Sequence, residues 1–265
     1  VKPGSFREDL VCFLDFAPTA LSLAGIKPPA YMHGQVILGE QTDKPRQYLF
    51  AHRDRMDEAY DLIRAVRDRR YKYIRNYMPL RSRGQNIDYM NKMPTMIDMR
   101  RLHAAGQLDT VALRQYFEPT KPVEELYDLQ SDPHEVNNLA GDPKQSATLA
   151  RLRAALEGWQ EQIVDRGLVP EALQAEEMRP GNVYQTTIDP VITVKAATEG
   201  NSTVTITCTT PGASIAFGID QAPRGQWQLY SRPLTLKAGT SIRAIATRLG
   251  YRNSRRVRKT VAGDR

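Results

Sequence analysis

The chain has 265 residues, 41% of them hydrophobic and 25% charged, which is typical of a globular protein that buries a core. No stretch approaches the roughly 18 uninterrupted apolar residues of a transmembrane helix, so we expect no membrane partner. The two cysteines, Cys12 and Cys208, have neither the spacing of a disulfide framework nor that of a metal site, so we predict that this chain binds no metal. The length favours two domains.

The net charge of +7 is distributed unevenly along the chain. Residues 190–265 contain 12 Lys and Arg against 3 Asp and Glu, a net charge of +9, whereas residues 1–189 contain 25 bases and 27 acids. The basic character therefore belongs to the C-terminal segment. At the other end, the first residue is Val1 and no basic–apolar leader follows it, so we expect the chain to begin within a longer product.

The first third of the chain predicts one helix and three strands. Asp15–Gly25 has a proline in its first turn and ends on a glycine, which predicts a short helix. Tyr48–His52 predicts a strand. Leu62–Asp68 and Tyr71–Asn76 are both rich in strand-forming residues and are separated by two residues, which predicts a hairpin.

The middle of the chain combines an irregular stretch with the longest predicted helix. Weak periodicity over residues 77–120 predicts a long excursion containing a helix near 95–116. Glu124–Leu129 predicts a further strand. Residues 144–165 predict a helix, because large apolar residues recur there at three- or four-residue spacing: Leu149, Leu152, Leu156, Trp159 and Ile163.

The last third changes in character after a proline-containing segment. Residues 167–189 have little apolar periodicity and predict a linker. Short β-rich runs separated by Gly, Pro and Asn then predict strands at 191–194, 203–207, 214–218, 227–230, 240–247 and 256–261. The predicted fold class is therefore α+β over residues 1–166, with antiparallel strands covered by the 144–165 helix, followed by a small all-β sandwich over residues 190–265.

Three stretches together resemble the C-terminal end of type I sulfatases, which belong to the alkaline-phosphatase-like superfamily. They are Leu14–Thr19 with Leu23–Ile26 and Met32–Gly34, then Arg64–Asp68 with Tyr71–Asn76, and finally Glu125–Leu129 with Asp132–Pro133, Glu135 and Asn138–Ala140. Their order and spacing carry the resemblance, since each stretch alone is also explained as packing and turn chemistry. Residues 53–58 and the insertion after Asn76 are most similar to the heparan N-sulfatase branch.

The C-terminal segment resembles the chitobiase/β-hexosaminidase C-terminal type of β-sandwich. The residues that carry this second resemblance are Ile215–Asp220, Trp227–Tyr230, Arg232–Leu234, Ile242–Ala246, Gly250–Tyr251 and Ser254.

The sulfatase resemblance implies an enzyme whose catalytic groups lie outside this chain. Sulfatases use a formylglycine made from Cys or Ser in a Cys/Ser-x-Pro-x-Arg signature, and neither Cys12 nor Cys208 stands in that signature. Their calcium-binding acids also lie upstream of the matched region. The resemblance thus implies calcium and formylglycine in the full-length parent, none in this chain, and no catalytic residue and no sulfatase activity here.

The resemblance also implies partners and a location for the parent. The implied substrate is a sulfated glycan such as heparan sulfate, and the implied partner is the chain's own N-terminal catalytic domain. We expect a periplasmic or secreted protein.

The candidate substrate-binding residues are His52, Arg53 and Arg55, which leave a predicted strand end on a polar loop. Arginine offers the planar, multi-donor fork that binds sulfate or carboxylate oxygens. The same loop is also explained as a solvated segment cross-linked by its own acids, Asp54, Asp57, Glu58 and Asp61.

The basic C-terminal segment offers an alternative function as a non-catalytic carbohydrate or polyanion-binding module. Its candidate residues are Arg252, Arg255, Arg256, Arg258 and Lys259. Such a cluster attracts a sulfated polysaccharide over a distance of about 10 Å at physiological salt. A plain structural appendage explains the composition as well, and the sequence favours it over retention of a polyanion. No alternation of basic and aromatic residues indicates nucleic acid as a partner.

Overall fold

The computed structural model describes residues 4–196, 200–220 and 226–262. The chain divides into two compact units, Val1–Leu168 and Val169–Arg265. Each unit has a hydrophobic core of its own. Among the described residues, no helix has both the length and the apolar character needed to cross a membrane.

A four-stranded antiparallel sheet forms the centre of the first unit, with its strands in sequence order. The strands are β1 (Leu49–Arg53), β2 (Ile63–Arg67), β3 (Tyr71–Asn76) and β4 (Glu124–Asp128). The predicted strands and hairpin are confirmed. The register aligns Val66, Tyr73 and Leu126 on one face of the sheet, and all three side chains are buried.

The longest helix, which we label α5 (Ser146–Ile163), covers that face. Its Leu152 and Leu156 are fully buried against the three sheet residues because their spacing places them on one side of the helix. Trp159 stacks on Phe50 of β1, with ring centroids 4.9 Å apart. The predicted helix over 144–165 is therefore confirmed. Helix α5 does not cover the opposite face of the sheet.

The N-terminal helix α1 (Phe16–Leu23) is held at its start by the buried carboxylate of Asp15. Asp15 accepts hydrogen bonds from the backbone of Cys12 and Gln35 and from the guanidinium of Arg46. Gly34 is required here, because a Cβ on that residue would lie 1.9 Å from the carbonyl oxygen of Leu14. The helix predicted over Asp15–Gly25 is confirmed with slightly shorter bounds.

The stretch over residues 77–120 contains three helices: α2 (Asp88–Asn91), α3 (Pro94–Ala104) and α4 (Val111–Phe117). The expectation of one helix near 95–116 is wrong, because Gly106 adopts a positive φ of 66° and ends α3. Thr110 then caps a new helix by accepting a hydrogen bond from the backbone of Leu113. A separate small core of Met96, Leu108 and Phe117 holds these helices together.

The second unit is a β-sandwich preceded by a short helix, α6 (Glu171–Met178), which lies within the segment predicted as a linker. The strands are β5 (Val191–Ala196), β6 (Asn201–Thr207), β7 (Ser214–Ile219), β8 (Gln228–Leu229), β9 (Leu234–Lys237), β10 (Ser241–Thr247) and β11 (Val257–Thr260). One sheet has the strand order β11-β10-β7-β8 and the other has the order β5-β6-β9.

The sandwich core is built from alternate residues of both sheets, as in other sandwiches. Val204, Ile242, Ala244 and Ala246 are completely buried in it. The predicted fold class, α+β followed by a small all-β sandwich, is confirmed. Strand β9 was not predicted.

Candidate functional site

A pocket of about 640 Å³ lies on the face of the four-stranded sheet that α5 leaves uncovered. Side chains alternate between the two faces of a strand, so the residues between those that contact α5 form its floor. The floor residues are Arg53, Ile63, Ile74, Asn76, Glu125 and Tyr127. The walls come from residues 83–90, from α4 and from the turn at His134 and Glu135.

The floor of the pocket has a buried carboxylate at its centre. Glu125 is 3% exposed; it accepts a hydrogen bond of 2.6 Å from Asn76 Nδ2 and another from the hydroxyl of Tyr127. Arg83 Nη2 lies 2.8 Å from the same carboxylate. Burial, together with the hydrogen bond to Glu125, raises the pKa of Tyr127 above its ordinary value. The phenol therefore stays neutral and acts as a hydrogen-bond donor.

The rim of the pocket carries an ion pair that links the sheet to the turn after β4. Lys72 Nζ lies 2.9 and 2.7 Å from the two carboxylate oxygens of Glu135. Glu135 adopts a positive φ of 55°, and the neighbouring His134 also lines the pocket. The pocket thus combines an apolar lining with four charged side chains at its floor and rim, in Arg53, Arg83, Glu125 and Glu135, which suits a polar ligand with an apolar surface.

The three predicted substrate-binding residues do not converge on this pocket. Arg53 lines it, and its Nη1 lies 4.0 Å from the buried Asp61. The Nε of Arg53 is buried and has no hydrogen-bond partner within the part of the chain that the structure describes. His52 is the neighbour of Arg53 on β1, so its side chain lies on the opposite face, and it is exposed.

Arg55 lies outside the strand on the polar loop. Its guanidinium donates to the carbonyl oxygen of Glu58 and lies 5.4 Å from the ring centroid of Tyr60. These local contacts of Arg55 are made to a backbone carbonyl and a ring, and cross-linking of Arg55 by the acids of the loop stays a prediction. A binding role for His52, Arg53 and Arg55 stays a prediction.

Several pocket residues were missed in the sequence analysis. Asn76, Glu125 and Tyr127 were interpreted only as strand residues. Because side chains alternate along a strand, Asn76 shares a face of β3 with Lys72, and Tyr127 shares a face of β4 with Glu125. That these residues lie on the same face as Arg53 follows only from the pairing register of the sheet, because the register joins strands that are far apart in sequence. Gln115 and Tyr116 of α4 had no signal of this kind.

The predicted polyanion-binding residues of the sandwich are divided between different surroundings. Arg255 pairs with Asp189 at 2.8 Å, and Lys259 Nζ donates to the carbonyl oxygen of Ile192. Arg256 lies over the ring of Trp227, and Arg258 forms an ion pair with Asp220. Arg252 pairs through its backbone with residues 185–187. Each of the five residues therefore contacts a different partner, and a shared polyanion-binding role stays a prediction.

The described residues do not fit a calcium site. Calcium prefers six to eight oxygen ligands, mostly from carboxylates and carbonyls. Over residues 4–196, 200–220 and 226–262, no three His, Cys, Asp or Glu side chains meet in a way that could hold a metal ion. The buried acids Asp15, Asp61 and Asp165 are instead paired with Arg46, Lys121 and Arg64.

Comparison with known proteins matches both parts of the chain to described families. "N-sulphoglucosamine sulphohydrolase, C-terminal" matches residues 1–88, and "Chitobiase/beta-hexosaminidase C-terminal domain" matches residues 193–259. An ulvan-active sulfatase of Formosa agariphila is 40% identical over 252 residues, which is 94% of this chain and 41% of that protein. The chain contains a C-terminal sulfatase part.

Further relatives match smaller shares of the chain. A second ulvan-active sulfatase of Formosa agariphila is 30% identical over 60% of this chain and 30% of its own length. Human N-sulphoglucosamine sulphohydrolase is 27% identical over 67% of this chain and 38% of its own length. A solved 2-O GAG sulfatase, 29% identical, covers 57% of this chain and 25% of its own, with a TM-score of 0.37. The chain spans less than half the length of these relatives.

The two cysteines of the chain make structural contacts. Cys12 Sγ accepts a hydrogen bond of 3.2 Å from Arg46, beside the Asp15 carboxylate. Although burial alone would raise the pKa of Asp15, the hydrogen bonds from Arg46 and the backbone lower it overall. Cys208 Sγ lies 3.2 Å from the carbonyl oxygen of Ile188. In the sulfatase part, Cys12 therefore belongs to the anchor of α1.

Proposed function

We propose that this chain is the C-terminal part of an enzyme that hydrolyses sulfate esters of a sulfated polysaccharide. The observation that carries the proposal is the 40% identity to an ulvan-active sulfatase over 94% of the chain. That match extends over both the sulfatase part and the sandwich, so the two units occur in the same order in an enzyme with this activity.

The proposed substrate is a polysaccharide of the ulvan kind in preference to heparan sulfate. The sequence led us to expect a sulfated glycan such as heparan sulfate, but the human N-sulphoglucosamine sulphohydrolase is a more distant relative, at 27% identity over 191 residues. The ulvan-active sulfatase is closer in sequence and covers the sandwich as well.

The proposed catalytic centre lies in the upstream part of the parent protein. Formylglycine and calcium would be supplied there, since Cys12 and Cys208 lack the required signature and the described acids do not fit a calcium ion. The contribution of the present chain is recognition: the pocket beside Arg53, Arg83 and Glu135 holds polar groups of a sugar neighbouring the reacting one.

The proposed partner of the sulfatase part is its own N-terminal catalytic domain. Helix α1 and its flanks expose several large apolar side chains in an arrangement that water disfavours. They are Phe13 (86% exposed), Leu14 (64%), Phe16 (53%), Leu23 (62%) and Ile26 (53%). Cover from the upstream domain would bury them and would bring the chain next to the catalytic centre.

The test compares the full-length parent with residues 1–265 alone. Each protein is incubated with ulvan and with heparan sulfate, and released sulfate is measured by ion chromatography. We expect release by the parent, faster from ulvan, and none by the 265-residue chain. A parent in which Ala replaces the upstream nucleophile is the control. No release by a matured, calcium-loaded parent contradicts the sulfatase proposal, and release by the chain alone contradicts the upstream placement.

A second candidate function is a basic carbohydrate or polyanion-binding module. It is favoured by the net charge of +9 that residues 190–265 carry, against −2 for the rest of the chain. Such a charge raises the local concentration of an anionic polymer. This function is compatible with the first, since a binding module would keep the enzyme on its substrate.

A further inference from the structure

We propose that the outer face of the four-stranded sandwich sheet binds a sulfated saccharide, with Trp227 as the platform and Arg243, Arg256 and Arg258 as the anion-binding residues. That the anion is sulfate rests on the proposed function. The location of the site rests on the contacts within the sheet. It differs from the cluster expected from sequence, because Arg243 enters and Arg255 does not.

The alternation of strands β7 and β10 defines this face. Phe217, Ile242 and Ala244 point into the core, so Gly218 and Arg243 point away from it. The register pairs Gly218 with Arg243 and Arg243 with Arg258. Three neighbouring strands therefore present a glycine and two arginines in one row across the outer surface.

Gly218 makes room for the arginine side chain. A Cβ at this position would lie 2.9 Å from Arg243 Nε and 3.0 Å from the carbonyl oxygen of Gln226. Without it, the guanidinium of Arg243 extends over β7 to within 5.2 Å of the Trp227 ring centroid. Arg256 reaches the same ring from the segment just before β11, at 5.4 Å. The indole thus contacts two arginine cations.

The charge on this face is incompletely neutralised. Asp220 forms an ion pair with Arg258 and lies 3.6 Å from Arg243 Nη1. Among the described side chains of the face, this single acid stands against three arginines. The Nε of Arg243 is buried and has no hydrogen-bond partner in the described part of the chain. Because that Nε is shielded from solvent, the donors that remain for an anionic oxygen of a ligand are the terminal guanidinium nitrogens of Arg243, whose side chain is 23% exposed, and of Arg258, whose side chain is 67% exposed.

The apolar part of the face suits a sugar ring. Trp227 is 36% exposed and Leu229, on the same face of β8, is 70% exposed. A pyranose places its C–H groups on such an aromatic surface and directs its sulfate groups outward to the arginines, which bind several oxygens at once. Single-stranded nucleic acid is less suited, because it requires successive aromatic platforms and the described face offers one.

The test measures binding of a sulfated oligosaccharide to the full 265-residue chain by titration calorimetry, with the desulfated oligosaccharide of equal length as the ligand control. Arg256→Gln and Arg255→Gln are the matched pair: they remove the same charge at neighbouring positions, but Arg256 lies at Trp227 and Arg255 pairs with Asp189. We expect Trp227→Ala, Arg243→Gln and Arg256→Gln each to weaken binding about tenfold, and Arg255→Gln less than about twofold.

A second measurement keeps the test independent of folding defects. In a Trp159→Phe background, Trp227 is the sole tryptophan of the chain, and the sulfated ligand should change its fluorescence. Any of three results would overturn the site. They are equal weakening of ligand binding by Arg255→Gln and Arg256→Gln, a Trp227 fluorescence that the ligand leaves unchanged, and equal affinity for single-stranded DNA at the same salt concentration. Binding without sulfate release by the parent would contradict only the sulfatase proposal, and release with no binding at this face would contradict only the present one.

Discussion

Arg64 in β2 donates two hydrogen bonds to the carboxylate of Asp165, which lies just beyond α5. The distances are 2.7 Å from Nε to Oδ2 and 2.9 Å from Nη2 to Oδ1. Arg64 is 1% exposed, and a Cβ on Gly167 would lie 1.9 Å from its Nη2. This bidentate pair joins the sheet to the end of the helix that covers it, and it depends on a glycine within the segment predicted as a linker.

Replacing Asp165 with Asn should destabilise the first unit in a pH-dependent way. The hydrogen bond from Arg64 lowers the pKa of Asp165 from 3.8 to about 2. A carboxyl group whose pKa is lowered in the folded state stabilises that state at pH values above its ordinary pKa. This contribution is lost as the pH falls towards the folded-state pKa. We expect a loss of about 2 kcal/mol at pH 7 that declines between about pH 5 and pH 2.

Denaturant unfolding measures this effect through Trp159, in a Trp227→Phe background so that the fluorescence reports on the first unit. The free energies of unfolding of the parent chain and of the Asp165→Asn variant are compared at each pH. A difference between them that stays constant from pH 7 to pH 2 would show that the ionised pair contributes nothing to stability.

The buried pair Lys121–Asp61 should show strong coupling. Both side chains are 0% exposed, and Lys121 Nζ lies 3.0 and 2.8 Å from the two carboxylate oxygens. Lys121→Met should cost about 3–5 kcal/mol, because it leaves a buried carboxylate without its cation. Adding Asp61→Asn should recover more than about 1 kcal/mol of that loss. A double-mutant cycle by urea unfolding measures the coupling free energy, with the exposed pair Arg101–Asp98 as the control. If the effects of the two substitutions at the buried pair were additive, the prediction of strong coupling would be wrong.

Replacing Gly34 and Gly158 with alanine should change the stability of the first unit in opposite directions. Gly34→Ala should destabilise the α1 anchor strongly, because the new Cβ would lie 1.9 Å from a backbone oxygen. Gly158 lies within α5, and a Cβ added there would meet no atom within 4 Å; Gly158→Ala should therefore stabilise by about 0.5–1 kcal/mol. Thermal unfolding of both variants measures the contrast. A neutral Gly34→Ala would mean that the loop shifts freely away from Leu14.

Within the full-length parent, the adjacent residues His52 and Arg53 should have different kinetic effects. Arg53 lines the pocket, whereas His52 lies on the opposite face of the sheet. Arg53→Ala should raise KM for the sulfated polysaccharide about tenfold, from the loss of a charge-assisted hydrogen bond. Arg55→Ala should raise KM less, and His52→Ala should leave it unchanged. Steady-state kinetics separate these outcomes; a larger effect of His52 would locate the substrate on the other face.

Much of the fold followed from local pattern. The spacing of Leu152 and Leu156 predicted α5, and strand-forming runs predicted β1 to β4, because burial against one surface leaves a period in the sequence. Strand β9 (Leu234–Lys237) was missed, although its Leu234 and Leu236 alternate with polar residues as in a strand with one buried face. The single helix predicted near 95–116 was wrong because Gly106 adopts a conformation that ends a helix.

The sequence by itself determined most of the strands, helices α1 and α5, the basic character of the last 76 residues and the resemblance to sulfatases, since each depends on residues close together in the chain. The tertiary structure alone decided which side chains meet. Strand pairing brings Asn76 to Glu125, and sheet register brings Arg243 to Trp227 while Arg255 turns to Asp189. The physical reason is that register, and the alternation of side chains across a sheet, assign each residue to a face and to its neighbours there.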